Sequence, residues 1–203
     1  MTRIGAFAAV AAISMLASAA HAQTPPQAPT RVRGIIASIN GDTLEIQPRR
    51  GDKVVARLGD KTFIGSVVHA QLADLQPGRF IGTAAVPQPD GTLKALEVHA
   101  FPETMRGTGE GHYGWDLNEG STMTNGSVGS LVGAAGRSLT VTYNGGTKTV
   151  VIPEDVPVVD LRPSDRSVLR PGAHVFAVGP LAADGSVTLL RIYAGENGAV
   201  PPM

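Results

Sequence analysis

The chain of 203 residues contains no cysteine. This excludes thiolate nucleophiles, iron–sulfur clusters and cysteine-based zinc sites. It also means that a chain outside the cytoplasm must hold together by burial, without disulfide staples. Aromatic residues are scarce at 4%, with a single tryptophan, Trp115. Proteins that bind single-stranded nucleic acid stack bases on exposed aromatics along a basic groove. Here Phe80 and Phe176 fall inside apolar strands and read as core, and the lysines and arginines read as scattered, solvated surface. Nucleic acid is therefore not an expected partner. A long apolar run is missing as well. The run over residues 4–16 is too short for a membrane span, which takes roughly 20 apolar residues.

That short run has another reading. It follows Arg3 and leads through small residues to Ala20-His21-Ala22, which together make a secretory signal peptide over 1–22 with cleavage before Gln23. The expected location is the periplasm. Loss of Arg3 takes one from 17 basic residues and leaves the 17 acidic ones in excess by one. A polyanion-binding protein would show a basic stripe or patch instead.

Two copies of one pattern fill the rest. Gly41-Asp-Thr-Leu-Glu-Ile46 corresponds to Gly136-Arg-Ser-Leu-Thr-Val141, and Gly51-Asp-Lys-Val-Val55 to Gly146-Thr-Lys-Thr-Val150, at an offset of 95. Leu75-Gln-Pro-Gly78 corresponds to Leu169-Arg-Pro-Gly172, and Pro89-Asp-Gly91 to Ala183-Asp-Gly185, at an offset of 94. One slip over so long a match marks a tandem duplication. Within the first copy, alternation and turn residues predict strands over 32–40, 43–47, 53–58, 79–86 and 92–101, with 63–68 extended. A short helical turn over 71–75 is stopped by Pro77-Gly78. In the second copy Ser164-Asp-Arg-Ser167 supplies a cap for the matching turn.

The expected fold class is all-β: a tandem repeat of two small five-stranded OB-like barrels, with an open antiparallel β-sandwich as the alternative. The expected divisions are a flexible segment over 23–30, a first barrel repeat over 31–101, a glycine-rich inter-repeat loop over 102–125, a second repeat over 126–196 and a tail over 197–203. A lone domain of about 70 residues buries only about 60% of its chain surface, so the two copies are expected to pack together.

The chemistry is written less plainly. Gly109-Glu-Gly111-His-Tyr-Gly114 matches a dinucleotide fingerprint, but no helix pattern follows it to hold a pyrophosphate. The match is accidental. The loop over 102–125 carries Met105, Tyr113, Trp115 and Met123, all costly to leave in water. They are expected to pack into the crease between the copies, with Trp115, Tyr113 and Asp116 as the structural residues. Two sharper readings compete. His112 with Met105 and Met123 offers imidazole and thioether ligands for Cu(I), and Glu110, Asp116 and His99 offer a harder set for Zn(II). No His-x-x-x-His pair or methionine-rich run supports either. As an enzyme, His112 and Asp116 would activate Ser121 or Thr122, yet no nucleophile-elbow or Ser-x-x-Lys motif occurs. His99, beside Glu97 on the polar face of an alternating strand, reads as solvated.

Met105-Arg-Gly-Thr-Gly-Glu-Gly-His112, Trp115-Asp116, Ser121-Thr-Met-Thr-Asn125 and the terminal Pro201-Pro-Met203 carry a resemblance. The chain resembles an uncharacterised family of exported proteobacterial proteins with two OB-like β-domains of unknown function, whose members are often labelled metal transporter permeases. A permease needs several spanning helices, so that label conflicts with this sequence. The resemblance implies the fold and the compartment. The resulting expectation is an exported, soluble, non-catalytic binding or scaffolding protein without a cofactor, its partner a periplasmic protein or a small ligand. The alternative is a periplasmic copper- or zinc-delivery protein.

Overall fold

The computed structural model describes residues 28–132 and 137–203. The expected leader over 1–22 lies outside the described residues, as does most of the segment over 23–30. The chain is all-β. The described residues form fourteen strands: β1 (Thr30–Asn40), β2 (Thr43–Pro48), β3 (Val54–Arg57), β4 (Phe63–His69), β5 (Phe80–Pro87), β6 (Leu93–Ala100), β7 (Gly111–Gly114), β8 (Thr122–Val132), β9 (Ser138–Tyr143), β10 (Gly146–Val151), β11 (Val158–Pro163), β12 (His174–Gly179), β13 (Val187–Thr188) and β14 (Arg191–Gly195). All belong to one mixed sheet.

Local chemistry accounts for the element boundaries. Gly41, Gly51, Gly78, Gly91, Gly172 and Gly185 take positive φ at the turns, a conformation that costs glycine little. A 3-10 turn at Leu72–Asp74 separates β4 from β5, and the Asp74 carboxylate accepts from Gln71 N–H at 2.8 Å. The matching turn at Arg166–Val168 is capped by Asp165, whose side chain accepts from Ser167 N–H at 2.7 Å. The segment over 63–68 is a full strand, and it lies at the centre of the molecule. β4 pairs antiparallel with β11, and Val67 stands opposite Leu161, its own counterpart 94 positions on. A pseudo-twofold axis passes through that pair.

Neither sequence copy closes on itself. β8, β9 and β10 come from the second copy, and β5 and β6 from the first. β9 pairs with β8 and β10, β8 with β5, β5 with β6, and β6 returns parallel to β10. The mirror arrangement joins β1, β2 and β3 of the first copy to β12, β13 and β14 of the second. The first path therefore returns to its start through β6 and β10, and in the second β13 pairs with β3 while Thr188 and Leu190 N–H donate to the Pro180 and Val178 carbonyls; both use strands of both copies.

Three cores follow. One fills the first ring around Ile36, Leu44, Ile46, Val175, Leu189 and Ile192. A second fills the other ring around Leu75, Ile81, Val98, Leu139, Val141 and Ile152. The third lies across the central strands and holds Val67, Phe80, Phe101, Leu161, Phe176 and Tyr193, with Met105 and Trp115 packed against it. Strand alternation divides β6 between cores: Val98 and Ala100 face the ring, and Phe101, just beyond the strand, faces the central cluster. The C-terminal segment belongs to this third core, since Ala199 and Met203 are buried there and Arg33 Nε donates to the Met203 carbonyl.

The segment over 102–125 is partly regular. A 3-10 turn at Glu103–Met105 leads to β7, which forms a hairpin with the start of β8. This hairpin and the central cluster cover the face of the sheet that was expected to meet water. His99 is consequently 2% exposed and Glu97 fully buried, contrary to the solvated reading of the strand's polar side.

Because each ring needs strands from both copies, the fragments 28–107 and 108–203 are expected to be poorly folded apart and to form a one-to-one complex on mixing. Far-ultraviolet circular dichroism and sedimentation check this. Two independently folded monomers that ignore each other would be the opposite result.

Candidate functional site

The sheet carries a bulge where β5 meets β6: Ala84 faces Glu97, but Ala85 faces Ala95. A bulge leaves backbone groups without ladder partners, and side chains take up the slack. Glu97 Oε1 accepts from Ala84 N–H at 2.7 Å, and Thr83 Oγ1 donates to the Glu97 carbonyl at 2.6 Å. The other carboxylate oxygen lies 2.9 Å from His99 Nδ1. A fully buried carboxylate is tolerable only with such partners. The same contact orients the imidazole and directs Nε2 away from Glu97, as a carboxylate behind a histidine commonly does.

His99 belongs to a row that crosses the sheet. Asn125 on β8 stands opposite Gly82 on β5, and Gly82 stands opposite His99 on β6. A Cβ on Gly82 would collide with both His99 Nε2 and Asn125 Oδ1. The two polar side chains thus lean over the glycine from either side. Asn125 Nδ2 donates to the carbonyls of Thr108 and Gly109 at 3.2 and 3.0 Å and lies 3.2 Å from the Tyr113 hydroxyl. This fixes which end of the amide faces Gly82.

Next to this row lies a cavity of about 160 Å³ in the crease beneath the inter-repeat hairpin. Its walls include His99, Asn125 and Met123 from one side and Phe176, Arg191 and Tyr193 from the other, with Trp115 and Tyr113 from the hairpin. Among the described residues, two buried side-chain polar atoms have no hydrogen-bond partner, Trp115 Nε1 and Asn125 Oδ1. Both residues line this cavity. The Arg31 guanidinium stacks 4.1 Å over the Trp115 ring. Burial pushes the Tyr113 and Tyr193 hydroxyls above the ordinary phenol range, against the opposing charge of Arg191 and, at Tyr113, also of Arg31.

The residues predicted for metal or packing roles are distributed differently. On the β7–β8 ladder His112 stands opposite Thr124 and Tyr113 opposite Met123. His112 Nδ1 lies 2.8 Å from Thr124 Oγ1 and its ring stacks on Tyr143, so it occupies the other face from Met123. Met105 packs at the central cluster. The three proposed copper ligands are thus not brought together. Burial, aided by the Lys148 charge, holds His112 below the usual histidine range. Glu110 accepts from Asn144 N–H, Asp116 binds Arg33, and His99 pairs with Glu97, which disperses the harder set. Among the described residues no group of three His, Asp or Glu could hold a metal ion. Ser121 Oγ donates into its own turn, to the Asn118 and Trp115 carbonyls. Of the three residues expected to pack in the loop, Trp115 lies against the central cluster, while Tyr113 and Asp116 are exposed, Tyr113 edge-on to Trp115 and Asp116 in ion pairs with Arg33 and Arg31. Burial would raise the Asp116 carboxyl, but the Arg33 hydrogen bond and the charges of Arg33 and Arg31 outweigh it and hold it below the ordinary range.

The arginines are less scattered than they read in sequence. Arg31, Arg33, Arg49 and Arg50 line one open groove of about 670 Å³, with Asp116 the only acid among the described residues that line it. Their separation along the chain hid this. Compared with protein-family models, with curated proteins and with solved structures, the chain matches none. Among the described residues no helix is long and apolar enough to cross a membrane.

Three substitutions test the row and its support. Gly82→Ala is expected to cost about 1–3 kcal/mol in chemical denaturation, the usual penalty for overpacking a full site. His99→Leu strands a buried carboxylate and is expected to cost about 3 kcal/mol or more. Adding Glu97→Gln to it should recover part of that loss; an equal or larger loss in the double variant would refute the pairing.

Proposed function

We propose that this is an exported, non-catalytic binding protein built from two OB-like barrels that close by exchanging strands, and that it holds a small organic molecule in the cavity under the inter-repeat hairpin. The leader-like start over 1–22 supports export. The return of β6 to β10, and the contacts of residues 187–190 with β3 and β12, support the barrels. The third element, the ligand, rests on a single observation: a cavity whose walls hold an unpartnered Trp115 indole N–H and an unpartnered Asn125 carbonyl oxygen.

A buried polar atom left without a partner costs roughly 1–3 kcal/mol. Two of them in the wall of one cavity mean that stability has been surrendered where a guest can restore it. A ligand with matching groups supplies the missing partners. The apolar remainder of the wall supplies affinity, and the few polar groups supply orientation, the usual division in a small-molecule site. A metal-delivery role through His112, Met105 and Met123 would require side chains on opposite faces of one ladder to converge. The cavity demands no such rearrangement, and it favours binding over a purely scaffolding role.

The test is a fragment screen by nuclear magnetic resonance on the purified protein. Binders are expected to shift the Trp115 indole N–H and the Asn125 side-chain amide together. They should also stabilise the fold, by about 2.7 kcal/mol at a hundred times the dissociation constant. A screen in which no fragment moves either signal would overturn the proposal.

A further inference from the structure

This inference rests on the binding reading and names the ligand's chemical class. The cavity is polar at both ends, with opposite preferences. At its buried end lie two acceptors. Asn125 presents Oδ1, because turning the amide over would set its oxygen against the Thr108 and Gly109 carbonyls that Nδ2 now serves. His99 commits Nδ1 to Glu97, which leaves Nε2 with a lone pair when Nδ1 carries the proton. Both atoms approach the same point above Gly82. Two acceptors side by side call for an N–H or O–H group from the guest.

The open end has the reverse character. Arg191 is exposed, and among the described residues no carboxylate pairs with it. Arg31 keeps 31% of its side chain exposed, in a long 3.6 Å ion pair with Asp116. Trp115 Nε1 adds a third donor. These groups only donate, and they call for an anionic acceptor such as a carboxylate. Between the ends stand the rings of Phe101, Phe176 and Tyr193 with Met123 and Leu161. A volume near 160 Å³ is of the size that accepts one benzene ring, for which roughly 150 Å³ is enough.

We propose that the cavity takes a single-ring aromatic acid with a hydroxyl or ring N–H opposite its carboxylate. The donor end enters first and reaches Asn125 Oδ1 and His99 Nε2. The ring lies among the aromatic walls, and the carboxylate stays at the mouth with Arg31, Arg191 and the Trp115 indole N–H.

Calorimetric titration with 4-hydroxybenzoate, benzoate and phenol separates the two ends. 4-Hydroxybenzoate is expected to bind at least about tenfold more tightly than either partial probe, since each lost charged or buried hydrogen bond is worth that much or more. Arg191→Gln should weaken 4-hydroxybenzoate and benzoate by about tenfold and phenol by much less. Equal binding of phenol and 4-hydroxybenzoate, or an Arg191→Gln variant that weakens all three alike, would overturn the assignment of an aromatic acid while cavity binding stood. Failure of all three probes would also overturn it, and the fragment screen would then decide separately whether the cavity binds anything.

Discussion

The free edges of β3 and β10 find partners only in the other sequence copy. An unpaired strand edge is a row of unsatisfied donors and acceptors, so neither copy can complete its hydrogen bonding alone. β13 closes the first edge and β6 the second, both in parallel register. Everything else in the fold is arranged around that exchange. The central pair β4–β11 is where the copies cross, its outer neighbours are β6, itself a closing strand, and β14, which follows the closing strand β13 in the chain, and the third core forms because the crossing leaves an apolar face between the rings. The inter-repeat hairpin and the C-terminal segment are the covers of that face.

The same exchange makes the cavity asymmetric. The row Asn125–Gly82–His99–Val159 has a counterpart in Arg33–Phe176–Tyr193–Gly65, with matching pairs at each step. In one row the glycine is central, and two polar side chains lie over it. In the other a phenylalanine is central, and the glycine has moved outward beneath the Tyr193 ring, where a Cβ would meet the ring at 2.7 Å. The two rows occupy corresponding places on either side of the β4–β11 pair, but one is a hydrogen-bonding wall and the other an aromatic one, and the cavity lies between unlike walls.

Much of the local structure was legible in the sequence. Alternation and turn residues located β2 at 43–47, where it runs Thr43–Pro48, and β12 begins after the Pro171-Gly172 turn. Ser164-Asp-Arg-Ser167 was legible as a cap from its residue types and its place before Leu169, and within it Asp165 takes that role. The exchange was not legible. Equivalent copies have equivalent edges, so closure within a copy and closure across copies leave the same hydrophobic pattern. His99 was misread for a related reason. Alternation tells that a strand has two faces but not that a distant hairpin covers the second one. Met105, His112 and Met123 are close in sequence and could be imagined around one ion; the register of a four-residue ladder sends His112 and Met123 to opposite sides. The correspondence of Arg33 with Asn125 was hidden because the stretch from Leu131 to Leu139 is longer than that from Ile39 to Leu44, which gives β1 and β8 a different offset from that of the neighbouring strands.

Strand exchange also bears on how such a chain can change over generations. A substitution in β5 or β6 acts on the packing of β8, β9 and β10, which another stretch of the gene encodes, and the reciprocal holds for β12 and β14 with β1 and β2. The two halves therefore drift under mutual constraint. Neither can be deleted, permuted away or lent to an unrelated architecture without leaving the other with open edges, so the heritable unit is the pair.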